Sequence, residues 1–317
     1  MAANTNDSGL TLTVLGCGTM GIAILSGILD SLSSTSQSSV QTQDLPSKLP
    51  TKFNACVRSS KSASRIRNEL SAYDVPVTIY ENDNLPAVQG ADIVLLGCKP
   101  YMVNDLLSSQ PMRDALKGKL LLSICAGVPV EQIEKALYPD QNHEEILKAG
   151  GALVVRAMPN TASKVREGMT VIATSTPPLE DTQRQLVEWI FSRIGRTVTL
   201  PASNMDAATA LCGSGPAFMA LVLEAMADGA VAMGLPRAEA QMMAAQTMRG
   251  TTGLVLDGEH PAVLKDKVST PGGCTIGGLM VLEERGLRGT VSRAVREATV
   301  VASQLGQGVQ GVSGTRF

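Results

Sequence analysis

Three glycines near the N-terminus are the first residues whose spacing suggests chemistry. Gly16, Gly18 and Gly21 form a G-x-G-x-x-G motif directly after the apolar run TLTVL, and a helical pattern follows. In that setting the first glycine allows a tight turn, the second lets backbone approach a pyrophosphate, and the third lets the helix pack on the strand. Thr19 and Met20 begin this helix, whose free N–H groups favour an anion. The motif predicts dinucleotide binding; the alternative is a glycine-rich turn in another α/β protein.

The end of the second predicted strand indicates which dinucleotide binds. Folds that bind NAD usually place an acidic residue there, to hold the ribose hydroxyls. Here the strand FNACV is followed by Arg58, Ser59 and Ser60. An arginine beside two hydroxyls suits a 2′-phosphate, which an acid would repel. We therefore expect NADPH to be preferred, with NADH still possible. The alternative is that Arg58 and Lys61 only begin a solvated helix.

Later strand ends carry polar or turn residues at what should be the same edge of the sheet. They are Cys98, Lys99 and Pro100 after the fourth strand, Ala126 after the fifth, and Met158 and Asn160 after the sixth. Ligands bind beyond the carboxyl ends of strands in such sheets. Each turn alone is ordinary, but their repetition predicts that they line the nicotinamide half of the groove.

A second loop concentrates hydroxyls and glycines between two helical patterns. Its candidate substrate-binding residues are Ser269, Thr270, Gly272, Gly273, Cys274 and Thr275. Exposed N–H groups at the start of the following helix, together with hydroxyls, make a small anion site that suits a substrate carboxylate. The alternative is a structural loop with a threonine N-cap.

The helix after Gly215 lacks a general base. It contains no His or Lys from Ala217 to Met233, and neither His143 nor His260 lies in an obvious site motif. Dehydrogenation of a hydroxy acid needs such a base. An imine needs less help, because its nitrogen can be protonated before hydride arrives. Thr275 could orient that nitrogen, with positioning doing most of the remaining work.

The elements that must position these residues divide the chain in two. Short apolar runs alternate with helical patterns up to about residue 200, which predicts a parallel, doubly wound sheet. The predicted strands are Thr11–Leu15, Lys52–Val57, Val77–Tyr80, Asp92–Cys98, Leu120–Ala126, Ala152–Met158, Thr170–Ala173 and Thr197–Leu200. From Ser203 to Gly306 only helices are expected. The predicted fold class is α/β plus all-α: a Rossmann-type NADP-binding domain at 1–200, then an all-helical dimerisation and substrate domain at 201–317.

Two segments depart from regular patterning. Residues 31–51 are rich in Ser, Thr and Gln, which predicts a flexible surface insertion. The helices of the second domain are apolar on all sides, as in QMMAAQTMRGTTGLVL. Such helices need burial on several sides, so we expect a second copy of the chain to cover them in an obligate homodimer.

Composition limits the other possibilities. The net charge is −2 and aromatic residues make up 3% of the 317 residues, so a nucleic-acid partner is not expected. Six cysteines without a C-x-x-C pair indicate buried free thiols, and two histidines argue against a structural metal. Glu224 and Asp228 interrupt the apolar stretch Ala217–Leu235, which favours a buried helix over a membrane span. The N-terminus has no signal core, so a cytoplasmic location is expected.

Motifs in a fixed order resemble one enzyme family over nearly the whole chain, from about Leu10 to Leu305. They are GCGTMG, CKP, AGV, MPNT, CGSGPA, DG near MGLPR, and LKDKVSTPGGCTIGGLMVLEERGLRG. The family is that of the pyrroline-5-carboxylate reductases. The resemblance implies NAD(P)H-dependent reduction of a cyclic imine to L-proline, the last step of proline biosynthesis, in interlocked dimers or higher homo-oligomers.

The resemblance also implies roles for individual residues. Thr270 and the backbone of Gly272 and Gly273 would hold the substrate carboxylate, and Thr275 would approach the ring nitrogen. Asn84 resembles the family's asparagine near the adenine ribose. Cys274 stands where other members often have Ala or Thr, and Thr270 replaces the more usual serine. Cys274 keeps the small size of that position, and Thr270 keeps the hydroxyl.

Two rival functions remain open at this point. A β-hydroxyacid dehydrogenase would share the first domain but carries a catalytic lysine on the long helix, which Ala217–Met233 lacks. A non-catalytic NADPH sensor would keep the G-x-G-x-x-G turn and could lose the STPGGCT loop, which is intact here. The intact loop favours catalysis. A purely structural scaffold is not expected, because both glycine-rich loops cost stability unless a ligand binds them.

Overall fold

The computed structural model describes residues 9–35 and 46–307, together with 309, 312 and 314. The described residues form two compact units. The first consists of those within Met1–Gly213 and Val301–Ser313, and the second of those within Ser214–Val300 and Gly314–Phe317.

The first unit is built on one eight-stranded sheet of order β3-β2-β1-β4-β5-β6-β7-β8. Its strands are β1 (Leu10–Leu15), β2 (Pro50–Val57), β3 (Val77–Glu81), β4 (Ile93–Leu96), β5 (Leu120–Ser123), β6 (Leu153–Met158), β7 (Gly168–Ala173) and β8 (Gly195–Leu200). All eight predicted strands are present. The order reverses beside β1, so β1 and β4 flank the switch point at which such sheets bind ligands.

The last two strands depart from the expected parallel sheet. Strands β1 to β6 are parallel, but β7 pairs antiparallel with β6, and β8 pairs parallel with β7. The connection from β6 to β7 contains only the short 3₁₀-helix Thr161–Val165. Parallel neighbours need a long crossover. The link from β6 to β7 is too short for one, whereas the link from β7 to β8 contains the helix Asp181–Ser192.

Helices cover both faces of the sheet. They are α1 (Thr19–Thr35), α2 (Ser60–Leu70), α3 (Asn84–Gln89), α4 (Val103–Leu107), α5 (Gln110–Leu116), α6 (Val130–Leu137), α7 (His143–Lys148), α8 (Asp181–Ser192) and α9 (Met205–Ala208). Alternate strand residues point to opposite faces. Leu12 and Val14 pack with α1, α2 and α8, whereas Leu15 packs with α3 to α6. This two-sided burial explains the continuous apolar runs of β4 and β5.

The second unit is helical and has little core of its own. Its helices are α10 (Gly215–Ala232), α11 (Arg237–Leu256), α12 (Pro261–Val268), α13 (Cys274–Glu284) and most of α14 (Leu287–Gly306). Among its described residues, the fully buried apolar ones are three alanines: Ala227, Ala240 and Ala244. Large apolar side chains are exposed instead, with Met242 and Met280 each 65% exposed. Ala217–Leu235 is thus mostly exposed in the single chain, and the expected burial does not come from this unit.

Two further expectations can be compared with the structure. Residues 31–35 continue α1 and β2 begins at Pro50, so regular elements extend into both ends of the expected insertion; residues 36–45 lie outside the described part.

By length and composition, Ala202–Ala232 is long and apolar enough to cross a membrane, with 11% of its most apolar window buried. The core helix of a soluble protein passes the same test. Four cysteine thiols are buried, and Cys274 is exposed.

Candidate functional site

The turn between β1 and α1 has the geometry that a dinucleotide needs. Gly16 adopts φ +83°, and a Cβ there would lie 2.8 Å from the backbone N of Cys98. A Cβ on Gly21 would lie 2.8 Å from Cγ1 of Val14, so the helix packs tightly on its strand. A Cβ on Gly18 would meet no atom within 4 Å. The backbone at Gly18 therefore faces open space from which a phosphate could approach.

This turn forms one wall of a cleft of about 500 Å³ at the carboxyl ends of β1, β2 and β4. Seven residues expected to bind the cofactor line it: Gly16, Gly18, Arg58, Ser59, Asn84, Cys98 and Lys99. Its other lining residues are Cys17, Cys56, Val57, Ser62, Gly97, Met102 and Leu106. The structure thus brings together residues from four separate turns.

The lining of the cleft is positively charged. Arg58 and Lys99 are the charged side chains among its described lining residues, and both are exposed. Burial raises the pKa of the Cys17 thiol to about 12. Burial, reinforced by the nearby Asp83 carboxylate, likewise raises the pKa of Cys56 to about 12. Both thiols stay neutral at physiological pH, so the cleft complements an anion.

The start of α2 supplies hydroxyls beside Arg58. The Ser59 hydroxyl caps the helix by accepting the backbone N–H of Ser62 at 3.3 Å, and the two hydroxyl oxygens lie 3.1 Å apart. Arg65 donates from Nη1 to Oγ1 of Thr19 at 3.2 Å, which links α2 to the start of α1. Sequence reasoning missed Ser62, although its position three residues after the cap places it on the same turn.

Five of the residues expected at the cofactor end lie elsewhere than on the cleft wall: Thr19, Met20, Gly21, Ser60 and Pro100. Met20 packs partly buried against the core on the α1 side of the sheet. Ser60 is the exposed first residue of α2, and Pro100 begins the 3₁₀-helix Pro100–Met102. These positions shape the turns without lining the cleft.

The residues expected after β5 and β6 also lie away from the cleft. Ala126 precedes Gly127, which has φ +72°. Met158 packs in a small apolar cluster with Val171 and Met205. Asn160 donates from Nδ2 to the carbonyl of Cys212 at 3.0 Å and accepts the N–H of Met169 on Oδ1 at 3.3 Å. In this structure the Asn160 amide therefore joins β7 to the π-helix Thr209–Ser214.

The loop expected to bind substrate lies in the second unit, before α13. Gly272 has φ +70°, and Gly273 is the N-cap of α13. The Ser269 hydroxyl donates to the carbonyl of Lys265 at 2.8 Å. A Cβ on Gly273 would clash with Oγ1 of Thr270, so the hydroxyl lies over the glycine backbone.

Thr275 is the residue of this loop best suited to meet a substrate atom. It is the second residue of α13 and is half-buried, and its hydroxyl has no hydrogen-bond partner among the described residues. Cys274 beside it is exposed. The first N–H groups of this 11-residue helix have no partner within the helix. The loop thus offers N–H donors and a hydroxyl to a small anion.

Two family models match separate parts of the chain. Residues 202–305 match the model of the pyrroline-5-carboxylate reductase dimerisation family. Residues 11–127 match the model of the family described as NADP oxidoreductase, coenzyme F420-dependent.

Individual relatives agree over almost their full length. The chain is 68% identical to a pyrroline-5-carboxylate reductase of Lophium arboricola, with 100% of both chains covered, and 56% identical to that of Neurospora crassa, with 98% of both covered. A crystal structure of pyrroline carboxylate reductase from Plasmodium falciparum with NADP bound is 26% identical, with a TM-score of 0.71 over 94% of this chain and 98% of that one. This chain belongs to the pyrroline-5-carboxylate reductase family.

Proposed function

We propose that the protein reduces the C=N bond of pyrroline-5-carboxylate to give L-proline, the last step of proline biosynthesis, with NADPH as the preferred donor. The observation that carries the proposal is 68% identity over the full length of a relative of that name. Both glycine-rich loops that the reaction needs are present as well. Family membership makes the chain an NAD(P)H-dependent oxidoreductase.

The first unit would hold the cofactor. The backbone at Gly18 and the N-terminus of α1 would receive the pyrophosphate, because a helix N-terminus favours an anion. Arg58 would pair with the 2′-phosphate, with the hydroxyls of Ser59 and Ser62 beside it. Asn84 would contact the adenine ribose. When bound, the reduced nicotinamide supplies the hydride.

The second unit would hold the substrate. Thr270 and the backbone N–H groups of Gly272 and Gly273 would bind the carboxylate, as anions bind at helix starts. The Thr275 hydroxyl would hydrogen-bond to the ring nitrogen, which orients the imine and supports the proton it carries. Ser269 and Cys274 would shape the loop. Positioning then does most of the catalytic work.

The direct test supplies pyrroline-5-carboxylate to purified protein with NADPH, and separately with NADH, while cofactor oxidation and proline are both followed. We expect proline to appear in step with cofactor loss, faster with NADPH. NADPH binding without turnover would contradict the proposal and favour the sensor function.

Arg58→Ala is expected to reduce the preference for NADPH. The substitution removes the arginine beside the Ser59 cap, and the absence of one charge-assisted hydrogen bond to a 2′-phosphate corresponds to about a 10- to 100-fold higher KM for NADPH. The KM for NADH should change little, because NADH lacks that phosphate. Steady-state kinetics with each cofactor measure both values.

Arg67→Ala is the matched control for this prediction. Arg67 is exposed on α2, the helix that follows Arg58, but does not line the cleft. This variant removes the same charge from the surface, so a general electrostatic effect would appear in both variants. An unchanged ratio of NADPH to NADH use in Arg58→Ala would contradict the role given to Arg58.

We further propose that the functional protein is a homodimer or a multimer of dimers, joined through the second unit. Homo-oligomerisation follows from the dimerisation family that residues 202–305 match. The physical support is that the described part of the second unit buries only alanines fully and exposes many large apolar side chains. A single copy would leave a larger apolar surface in water than soluble monomers usually have. Residues 1–200 and 201–317 would then be the cofactor and assembly domains of a cytoplasmic enzyme.

Light scattering is expected to give a mass of at least twice the 33.1 kDa chain. Met242→Glu or Met280→Glu should lower that mass, because each would place a charge in the proposed interface. Val165→Glu is the control, since Val165 is 68% exposed but belongs to the first unit. A monodisperse monomer of the unmodified protein would contradict the proposed assembly.

A further inference from the structure

A second cavity in the first unit is separate from the cofactor cleft. Its volume is about 560 Å³, it shares no lining residue with the cleft, and every residue that lines it belongs to the first unit. It lies between α6, the end of β7 and the segment that begins α9. Its size is within the range of small-molecule sites, and neither the cofactor nor the substrate proposed above uses it.

Arg156 is the buried charge in this cavity. It lies in β6 opposite Ser123 of β5, on the sheet face that α6 covers, and is only 8% exposed. Its side chain lines the cavity and forms no hydrogen bond or ion pair with any described residue. A guanidinium remains charged in proteins, and a buried charge without a partner costs stability. Among the described residues nothing fills that role, so the position suits an anionic ligand.

The other charges of the cavity do not satisfy Arg156. Burial lowers the pKa of Arg156, and the carboxylates of Asp206 and Glu131 act in the opposite direction without bonding to it. Asp206 is half-buried and Glu131 is exposed at the rim. Both carboxylates thus stay available to a cation.

A third carboxylate already has a partner within the first unit. Glu134 is 6% exposed and pairs with Nδ1 of His143 at 2.7 Å, while Nε2 of His143 bonds to the carbonyl of Thr176. The Thr176 carbonyl, with the Glu134 carboxylate, raises the pKa of His143 and so favours its charged form. The Glu134 carboxylate thus already has a hydrogen-bond partner among the described residues. The cavity therefore presents one free guanidinium and two free carboxylates among its described lining residues.

We propose that this cavity is a binding site for a small neutral amino acid in its zwitterionic form. The ligand carboxylate would pair with Arg156, and the ammonium group would bind Asp206 with Glu131 nearby. Val130 and Ala173 are apolar lining residues against which the ligand side chain would pack. A ligand with only a negative charge suits the cavity less, because the two carboxylates would repel it. A metal cation also suits it less, because the Arg156 guanidinium would repel the cation.

Isothermal titration calorimetry of the full-length protein without cofactor tests the proposal. The probes are L-alanine, L-valine and L-methionine, with isovalerate and isobutylamine as valine analogues that lack the ammonium or the carboxylate. We expect saturable binding of at least one amino acid, and each analogue at least tenfold weaker than L-valine. Equal binding of isovalerate, or no binding of any amino acid, would overturn the proposal.

Variants then locate the bound amino acid. Asp206→Asn should weaken binding at least tenfold, and it should fold because the Asp206 carboxylate has no hydrogen-bond partner among the described residues. Arg156→Lys should weaken it as well; if that buried variant does not fold, Asp206→Asn decides. Glu144→Gln is the control, since this carboxylate is 81% exposed beside His143 and lies outside the cavity.

Thr270→Val separates this site from the proposed substrate loop. It alters the hydroxyl over Gly273 in the second unit, so the affinity for the amino acid should not change. Binding that is lost in Thr270→Val but kept in Asp206→Asn would place the amino acid at the substrate loop and overturn the proposal. The reductase assay is independent of these measurements, so either proposal can fail alone.

Discussion

Gly18→Ala is expected to weaken NADPH binding by about 100-fold or more while leaving the free energy of unfolding almost unchanged. The added Cβ would meet no atom within 4 Å, and Gly18 does not have the positive φ that would strain an alanine. The same Cβ would keep the pyrophosphate from the backbone. Loss of one or two charge-assisted hydrogen bonds corresponds to about two orders of magnitude in affinity. Fluorescence titration with NADPH and urea unfolding measure the two effects.

Two other glycines provide controls for this prediction. Gly16→Ala should both destabilise the fold and abolish binding, because φ is +83° and its Cβ would lie 2.8 Å from the backbone of Cys98. Gly118→Ala carries the same kind of strain at φ +71°, but no atom lies within 4 Å and it is outside the cleft. It should cost about 1–2 kcal/mol of stability and leave NADPH affinity intact. Unchanged affinity in Gly18→Ala would show that the pyrophosphate binds elsewhere.

The fold was predictable where local pattern and burial agree. Each predicted strand is an apolar run between turn residues, and most such runs lie in a sheet covered on both faces, so composition alone identifies them. The direction of β7 was not predictable in this way. Its apolar pattern is the same in either direction, and the short link through Thr161–Val165 decides the pairing.

The cofactor cleft was predictable to the extent that backbone motifs define it. Gly16 and Gly18 follow from spacing, because the turn needs them wherever it occurs. Ser62 could be placed on the cleft only once the start of α2 was known, because the first turn of that helix brings Ser62 beside Ser59. Asn160 follows a strand as predicted, yet its amide holds Cys212 and Met169. A polar residue at a strand end can serve the protein's own backbone as readily as a ligand.

The second unit shows a different limit of sequence reasoning. Its helices lack a polar face, which predicts that another surface covers them. The pattern could not say that the chain itself leaves them exposed, because burial within a unit and burial by a partner select the same residues. The exposure of Met242 and Met280 separates the two cases.

Thr275→Val is expected to lower kcat about 100-fold or more with little change in the KM for pyrroline-5-carboxylate. Valine keeps the shape of threonine and removes only the hydroxyl, which has no partner among the described residues. If the hydroxyl orients the protonated nitrogen by accepting its N–H, its loss acts mainly on the transition state, where one positioned hydrogen-bonding group is worth about two to three orders of magnitude. Steady-state kinetics at saturating NADPH separate kcat from KM.

Three further substitutions test whether the effect belongs to the hydroxyl of Thr275. Thr275→Ser keeps the hydroxyl and should retain most of the rate. Thr290→Val removes a hydroxyl that already bonds to the carbonyl of Gly286 at 3.0 Å, and it should leave kcat unchanged. Thr270→Val should instead raise KM, because its proposed partner is the carboxylate, which is bound in the ground state and the transition state alike. Full turnover in Thr275→Val would therefore show that the imine nitrogen is oriented by another group, while the carboxylate site at Thr270 could still be correct.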